Sequence, residues 1–407
     1  MGTGGSPLKT FVAEYDLARP VRAVWGLHGY TQGVILIRKD GQPVDLLWIP
    51  HPPHRFMLTG REIEQYIYYQ LGISPAMRGN SGPTGGANPP EPLPAISVVV
   101  CTRDRPRSLH RCLASLARLD PEACEVIVVD NASGTGETKE LVSETPFRYV
   151  REDRPGLNWA RNRGAGEASH DIVAYVDDDV MVDPGWLRGI ARGFRSPGVD
   201  AVTGLVLPAE LETRPQLLFE IYSGMGKGME ARRYRNPLMY PRGLIRGRDV
   251  VVETNMAFRR KVLEGLGGFD TALDAGAPYG GGGDLDMFQR VLVSGGIVRY
   301  EPAAIVWRRH HRDFEGLRRQ LFDNGRSYGV YLMKSWKERR IGRSEIASYV
   351  VFRWAPWLVG RLGLGLVRRH RLPLQLLWAE IRGAIHSPWA YVQTYRHDRS
   401  NRKEFPL

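Results

Sequence analysis

The chain has 407 residues, enough for two or three domains with a real core. A hydrophobic fraction of 43% and a charged fraction of 25% exclude a disordered or fibrous chain. Three scattered cysteines exclude a disulfide scaffold; Cys101, Cys112 and Cys124 read as small core residues in a reducing, cytoplasmic compartment. The formal charge of +12 sits mostly at one end. Residues 331–407 hold 15 Lys and Arg against 5 Asp and Glu, a net +10, which leaves +2 for everything before them. Charge on a tail rather than on a folded core argues against nucleic acid as a partner.

Residues 1–77 read as a small α+β unit. Residues 1–10 lack the apolar run of a secretory signal, and Met1–Ser6, although it fits the N-myristoylation pattern, reads as an unstructured start. Val34–Arg38, the Asp40-Gly41 turn and Val44–Ile49 predict a β-hairpin. Thr59 followed by Arg61–Leu71 predicts a capped helix that stops at Gly72. No chemistry attaches to this unit. Residues 78–94 are rich in Gly and Pro and read as a linker.

From Ala95 the pattern becomes α/β. Strands are predicted at Ile96–Cys101, Glu125–Asp130, Arg148–Val150 and Ile172–Val176, with an amphipathic helix at Arg107–Leu119 between the first two. Strand, helix, strand in short order predicts a parallel sheet with right-handed crossovers. The fourth strand ends in Asp177-Asp178-Asp179. Three like charges at a strand's carboxyl end suit a hard cation such as Mg2+ or Mn2+ beside a phosphate, and an acidic turn in water is the plain alternative. The first two strands also end in polar residues, Thr102–Arg105 and Asp130–Ser133, at the edge where a nucleotide would lie. There is no Gly-x-Gly-x-x-Gly motif and no phosphate-cradling Gly-Lys-Ser/Thr loop after the first strand.

Eight segments stand in the order of one family: VVVCTRDRP (98–106), EVIVVDNAS (125–133), RPGLNWARNRG (154–164), VDDDV (176–180), NMAFRR (255–260), GGFD (267–270), GGGGDLDMFQRVL (280–292) and YEPAAIVW (300–307). Over 95–330 the chain resembles the family 2 glycosyltransferases of the GT-A fold. The resemblance implies a Rossmann-like mixed, mainly parallel sheet, an inverting mechanism, a Mn2+ or Mg2+ ion and a nucleotide-diphosphate sugar, UDP- or dTDP-type favoured. It implies roles for single residues. Thr102 and Asp104 would line the nucleotide pocket, Asp130 would read the base, and Arg161 and Asn162 would approach base or ribose. Asp177 and Asp179 match the outer members of the family's Asp-x-Asp motif, reaching ribose, diphosphate and metal. Asp284 matches the catalytic base, although Gly283 stands where the family has glutamate; Asp286 caps or braces its helix. His310 is chosen as a further metal ligand from the run Arg308–Asp313. Gly280–Gly283 reads as a mobile acceptor loop in preference to a packing corner, and Met225, Met229, Tyr234, Met239 and Tyr240 as acceptor-pocket walls or ordinary core.

Five of the ten tryptophans fall after Tyr331. The apolar stretch Tyr349–Val367 is broken by Arg353, Pro356 and Arg361, too often for a spanning helix. Residues 331–407 therefore read as a helical segment lying on the inner face of the cell membrane, with packing against the core as the alternative. The expected activity is transfer of a sugar to a hydroxyl of a glycan or lipid-linked acceptor in glycan, cell-envelope or glycolipid synthesis. A sugar nucleotidyltransferase and a non-catalytic sugar-nucleotide binder are the rivals.

Overall fold

A computed structural model describes residues 9–73, 93–120, 122–223, 226–235, 254–273, 281–338, 342–357, 359–360 and 373–404. The linker, apart from its last two residues, and Met225, Met239, Tyr240 and Gly280 lie outside them. At the N-terminus, β1 (Lys9–Asp16) pairs parallel with β3 (Tyr30–Lys39), and β3 pairs antiparallel with β4 (Gln42–Pro50); a short ladder joins β2 (Val24–Trp25) to β5 (Met57–Leu58). The hairpin turn is the expected one: Asp40 and Gly41 have φ of 52° and 76°, the left-handed pair that an Asp-Gly turn supplies. Helix α1 (Gly60–Leu71) opens on a capping box between Thr59 and Glu62 and closes on Gly72 at φ 69°. Its Ile63 and Ile67 pack on Ile35, Ile37, Leu47 and Ile49 of the hairpin.

A nine-stranded sheet follows: β6 (Ile96–Thr102), β7 (Cys124–Asn131), β8 (Arg148–Glu152), β9 (Ile172–Asp177), β10 (Val180–Val182), β11 (Val199–Pro208), β12 (Arg232–Arg235), β13 (Asn255–Arg259) and β14 (Ile297–Arg308). The order is 10-14-11-13-9-6-7-8, with β12 beside β14. Strands 6, 7, 8, 9, 11 and 14 run one way; 10, 12 and 13 run against them. The sheet is mixed and mainly parallel, as expected. Its near-continuous apolar strands need cover on both faces, and they have it. On one side lie α2 (Pro106–Leu116), α3 (Glu137–Ser143) and α5 (Trp186–Arg195). On the other lie α4 (Leu157–Glu167), α7 (Arg260–Gly265), α8 (Gly283–Val293) and α9 (Phe314–Glu338), with α10 (Arg343–Tyr349) beyond; α6 (Arg214–Ser223) packs against α9.

Helix α9 runs without a break across residues 330–331, where the charge pattern begins the tail. Parallel packing of α9 with α11 (Leu374–Glu404), with Gly325 near Glu380, Gly329 near Ser387 and Lys337 over Tyr391, brings glycines into contact: a Cβ on Gly325 would stand 2.0 Å from the Glu380 carbonyl oxygen. Among the described residues no helix is long and apolar enough to cross a membrane. Of the cysteines Cys112 is buried, whereas Cys101 and Cys124 are partly exposed, so only the first is a core residue in full. Cys101 lies at the sheet's open carboxyl edge and Cys124 at the mouth of β7, where packing ends.

Candidate active site

Strand register brings the polar strand ends side by side. Cys101 stands opposite Asp177, and Thr102 opposite Asp130, so β9, β6 and β7 present their carboxyl ends as one edge. Neighbouring strands lie about 4.8 Å apart, which puts Asp177 and Asp130 about 10 Å from each other along that edge.

Asp130 is 1% exposed, and its Oδ2 accepts from Tyr149 at 2.7 Å and Arg151 at 3.0 Å. These two come from alternate positions of β8, so both face the same way. Asp130 Oδ1 is buried and has no partner. A buried carboxylate oxygen left unpaired is expensive unless a ligand serves it. Asp104, expected in the nucleotide pocket, has φ of 52° and ties two strand ends together: its Oδ1 accepts from the Gly134 N–H at 2.8 Å and its own N–H donates to Ser133.

In the aspartate triplet the middle residue points inward. Asp178 is 4% exposed and accepts from Thr102 Oγ1 at 2.8 Å and from Arg105 at 2.9 Å. Burial raises its pKa, and Arg105 and Thr102 oppose the rise. The hydroxyl of Thr102 is thus committed to Asp178 rather than turned to a ligand. Asp179 Oδ2 meets Arg308 at 3.3 Å, while its Oδ1 is buried and unpartnered. Among the described residues no group of three His, Cys, Asp or Glu side chains is placed to hold a metal. Mg2+ and Mn2+ are commonly held by one or two carboxylates with phosphate and water completing the sphere, and Asp177 with the orphan oxygen of Asp179 fits that donor set.

His310 does not join them. It is 4% exposed, its Nε2 lies 2.7 Å from Glu220 Oε1, and its ring packs on Phe219 at 4.5 Å. Its neighbour His311 is within electrostatic reach of Asp179, Arg308 and Arg105, and its pKa is lowered by desolvation and then by Arg308. Adjacent residues leaving a strand end face opposite ways, and sequence spacing did not tell which imidazole faces the aspartates.

Asp284 is 6% exposed at the N-terminus of α8. Burial raises its pKa, and Arg161 and the Leu285 N–H pull it back down; Asp177 is close enough to raise it further. Arg161 is itself 4% exposed, bonded to Asn158 at 3.2 Å and stacked near Phe269. It backs Asp284 and is not turned to a base or ribose. Asn162 is likewise taken: its amide donates to the Phe269 carbonyl at 2.9 Å and accepts the Phe269 N–H at 2.7 Å.

Gly281–Gly283, the described part of the glycine run, form a packing corner and not the mobile loop expected. Gly281 and Gly282 have φ of 148° and 84°, and a Cβ on Gly281 would stand 1.9 Å from Ser327 Oγ. At Gly283 a Cβ would stand 2.2 Å from the Asn158 amide nitrogen, which donates to the carbonyls of Asp270 and Leu273. A glutamate at 283 has no room while Asn158 stands there. Tyr234 is core, 7% exposed, and Met229 packs beside it at the edge of a cavity. Asp286 braces: its carboxylate meets Lys334 of α9 at 2.7 Å and Arg290 at 2.8 Å. The sequence reading missed Arg105, Tyr149, Arg151, Asn158 and Lys334; the alternation of Tyr149 and Arg151 on β8 was the available signal.

Residues 97–267 match the family model "Glycosyl transferase family 2". The chain is 26% identical over 289 residues to a pre-mycofactocin glycosyltransferase of Mycobacterium tuberculosis, covering 69% of this chain and 56% of that protein. It is 25% identical over 185 residues to a glucosyl-dolichyl phosphate glucuronosyltransferase of Haloferax volcanii (43% and 56% covered). The succinoglycan biosynthesis protein ExoM of Rhizobium meliloti is 28% identical over 249 residues (58% and 75% covered). This chain thus spans little more than half the length of the first two. A solved mannosyltransferase from Pyrobaculum calidifontis, in complex with GDP-Man and Mn2+, superposes with a TM-score of 0.50 at 18% identity, covering 73% of this chain and 88% of that one. That likeness speaks for the fold, which is of the GT-A type.

Proposed function

We propose, from the premise that residues 97–267 are a family 2 glycosyl transferase domain, that this chain transfers a sugar with inversion from a nucleotide-diphosphate sugar to a hydroxyl, in glycan or cell-envelope synthesis. The observation that carries the reading is the buried Asp284, held beside Arg161 at a helix N-terminus and within electrostatic reach of Asp177. Asp284 takes the acceptor hydroxyl's proton as that oxygen attacks the anomeric carbon opposite the leaving diphosphate. Burial keeps its carboxylate basic, and Arg161 keeps it ionised. Asp177 and Asp179 would hold a Mn2+ or Mg2+ ion, which supplies charge neutralisation to the leaving group. Arg308 adds positive charge on the same side. Asp130 takes a base N–H on its free Oδ1. Since Oδ2 is already occupied, a base with one imide N–H, uracil or thymine, suits it better than guanine with two adjacent donors. Thr102, Asp104 and Asn162 act by positioning the strand ends and the turn around them.

The test is Asp284→Asn assayed with Mn2+ and a panel of nucleotide sugars. Donor hydrolysis and transfer should vanish, while the thermal shift produced by the nucleotide diphosphate stays as in the wild type. Full transfer by this variant would remove Asp284 from the role of base.

The tail supports a peripheral position on the inner membrane face. One face of α11 packs on α9, and the other exposes Trp378, Ile385, Trp389 and Val392 at 52%, 65%, 51% and 45%. Those four lie in one stripe at helical spacing, with Arg382 and Arg396 on the same side. Tryptophan beside arginine on one helical face suits an anionic lipid interface. Trp378→Ser combined with Trp389→Ser should lower co-sedimentation with phosphatidylglycerol vesicles at least tenfold; unchanged binding would reject the surface.

A further inference from the structure

The β3–β4 hairpin is apolar on both faces, which a half-exposed hairpin has no need to be. Ile35, Ile37, Leu47 and Ile49 cover α1. On the opposite face Val34 stands across from Trp48, and Leu36 across from Leu46. This second face is turned to the large sheet: Leu36 is 1% exposed and belongs to the same core as Leu205, Leu207 and Ile305, and Arg38 of the hairpin is paired with Asp183 at 2.5 Å. Beside Leu36 the two surfaces part. Val34, Leu46 and Trp48 on one side and Leu205, Glu220 and Met229 on the other enclose a cavity of about 580 Å3. That volume is in the range of small-molecule sites, which run roughly 300–1,000 Å3.

Two contacts place the cavity in the molecule. Glu220, in its wall, is hydrogen-bonded to His310, two residues beyond the arginine that pairs with Asp179. Tyr222, also in its wall, donates its hydroxyl to Glu380 of α11, two residues from Trp378 at the start of the exposed stripe. The cavity therefore lies between the carboxyl edge of the sheet and the first turns of α11, on the side of that helix that faces α9. Ile221, 62% exposed, and Trp48, 43% exposed, are large apolar side chains that the fold leaves open to solvent at this site.

We propose that this cavity holds the apolar chain of an amphiphilic acceptor whose neutral, hydroxylated head group points toward Glu220 and the reaction centre. The inference rests on the glycosyl-transfer reading and deepens it by naming the acceptor class. A purely polar acceptor would leave the apolar walls of β3, β4 and β11 against water, whereas a hydrocarbon chain covers them. Glu220 and Lys227 both line the cavity, a carboxylate that accepts from hydroxyl groups and an ammonium that donates to them, so charge of either sign is already balanced there and a neutral hydroxylated head fits. The N-terminal unit thereby supplies one wall of the acceptor site.

The test uses the full chain and isothermal titration with hexyl, octyl and decyl β-D-glucosides kept below their micelle concentrations, with glucose as the head-group control. Binding should saturate at one site and tighten about fourfold per added methylene, and glucose alone should give no heat. Val34→Phe, which fills the cavity, and Trp48→Ala, which removes part of its wall, should weaken octyl glucoside at least tenfold. The Trp378→Ser/Trp389→Ser protein should bind it within twofold of the wild type. Trp48 is half-exposed, so its variant carries the comparison by itself if Val34→Phe does not fold. Affinity indifferent to chain length, or unchanged in Trp48→Ala, would overturn the proposal. Loss of binding in the tail variant alone would also overturn it, because the glucoside would then sit on α11. Thermal shift by a nucleotide diphosphate with Mn2+ is read in parallel. An intact shift without glucoside binding removes the cavity proposal alone, and the reverse removes the transfer reading.

Discussion

Lys334→Met should destabilise the protein and slow its chemistry together. The ammonium group lies 2.5 Å from Asp270 Oδ2 and 2.7 Å from Asp286 Oδ1, with Glu338 at 3.8 Å, and the lysine side chain is 2% exposed. Methionine keeps the apolar stem and deletes the charge. Removing one member of a buried ion pair costs about 3–5 kcal/mol, because the remaining charge is stranded. Two features place this case near the lower end, at about 3 kcal/mol. Asp286 keeps Arg290 at 2.8 Å, and the Asp270 side chain is 22% exposed and can recruit water. Urea denaturation followed by circular dichroism measures the loss. If stranded charge is the cause, Asp286→Asn added to Lys334→Met should be less costly than the sum of the two single changes, by about 1–2 kcal/mol. Lys334 also fixes the first turn of α8, two residues from Asp284. The variant should therefore lose kcat with donor KM unchanged, the pattern of a displaced group that acts in the transition state. A destabilisation under about 1 kcal/mol with strict additivity would refute the argument, since it would mean that solvent reaches the cluster.

Arg161→Met removes the cation that lowers the Asp284 pKa against the rise caused by burial. A base works only when ionised, so the rate falls as pH drops through its pKa; the acid limb of the pH–rate profile should move to higher pH in this variant. Asn162→Ala deletes two hydrogen bonds to the Phe269 backbone. It should cost about 2 kcal/mol in denaturation and leave the nucleotide-diphosphate thermal shift unchanged, whereas a direct contact to base or ribose would weaken that shift.

What could be read from the residues in order was set by local forces. An Asp-Gly pair prefers left-handed φ, a Thr-x-x-Glu step caps a helix, and a glycine ends it; Asp40-Gly41, Thr59 with Glu62, and Gly72 all do this in the fold. The apolar runs at β6, β7 and β9 were equally plain, as was the polar character of their ends. What the order of residues could not supply was partnership across the chain. Asp178 turns inward to Thr102 and Arg105 because the ends of β6 and β9 meet there, 73 to 76 residues apart in sequence. His310 and His311 are neighbours in the chain and diverge in space, because Glu220 of α6 captures one of them. Asn162 and Arg161 adjoin each other in the motif, yet one is spent on the Phe269 turn and the other on Asp284. The glycines at 281–283 look free by composition and are confined by Ser327 and Asn158. Local propensity acts over three or four residues, while register, capture by a distant side chain and close packing are settled only when the sheet and its helices meet.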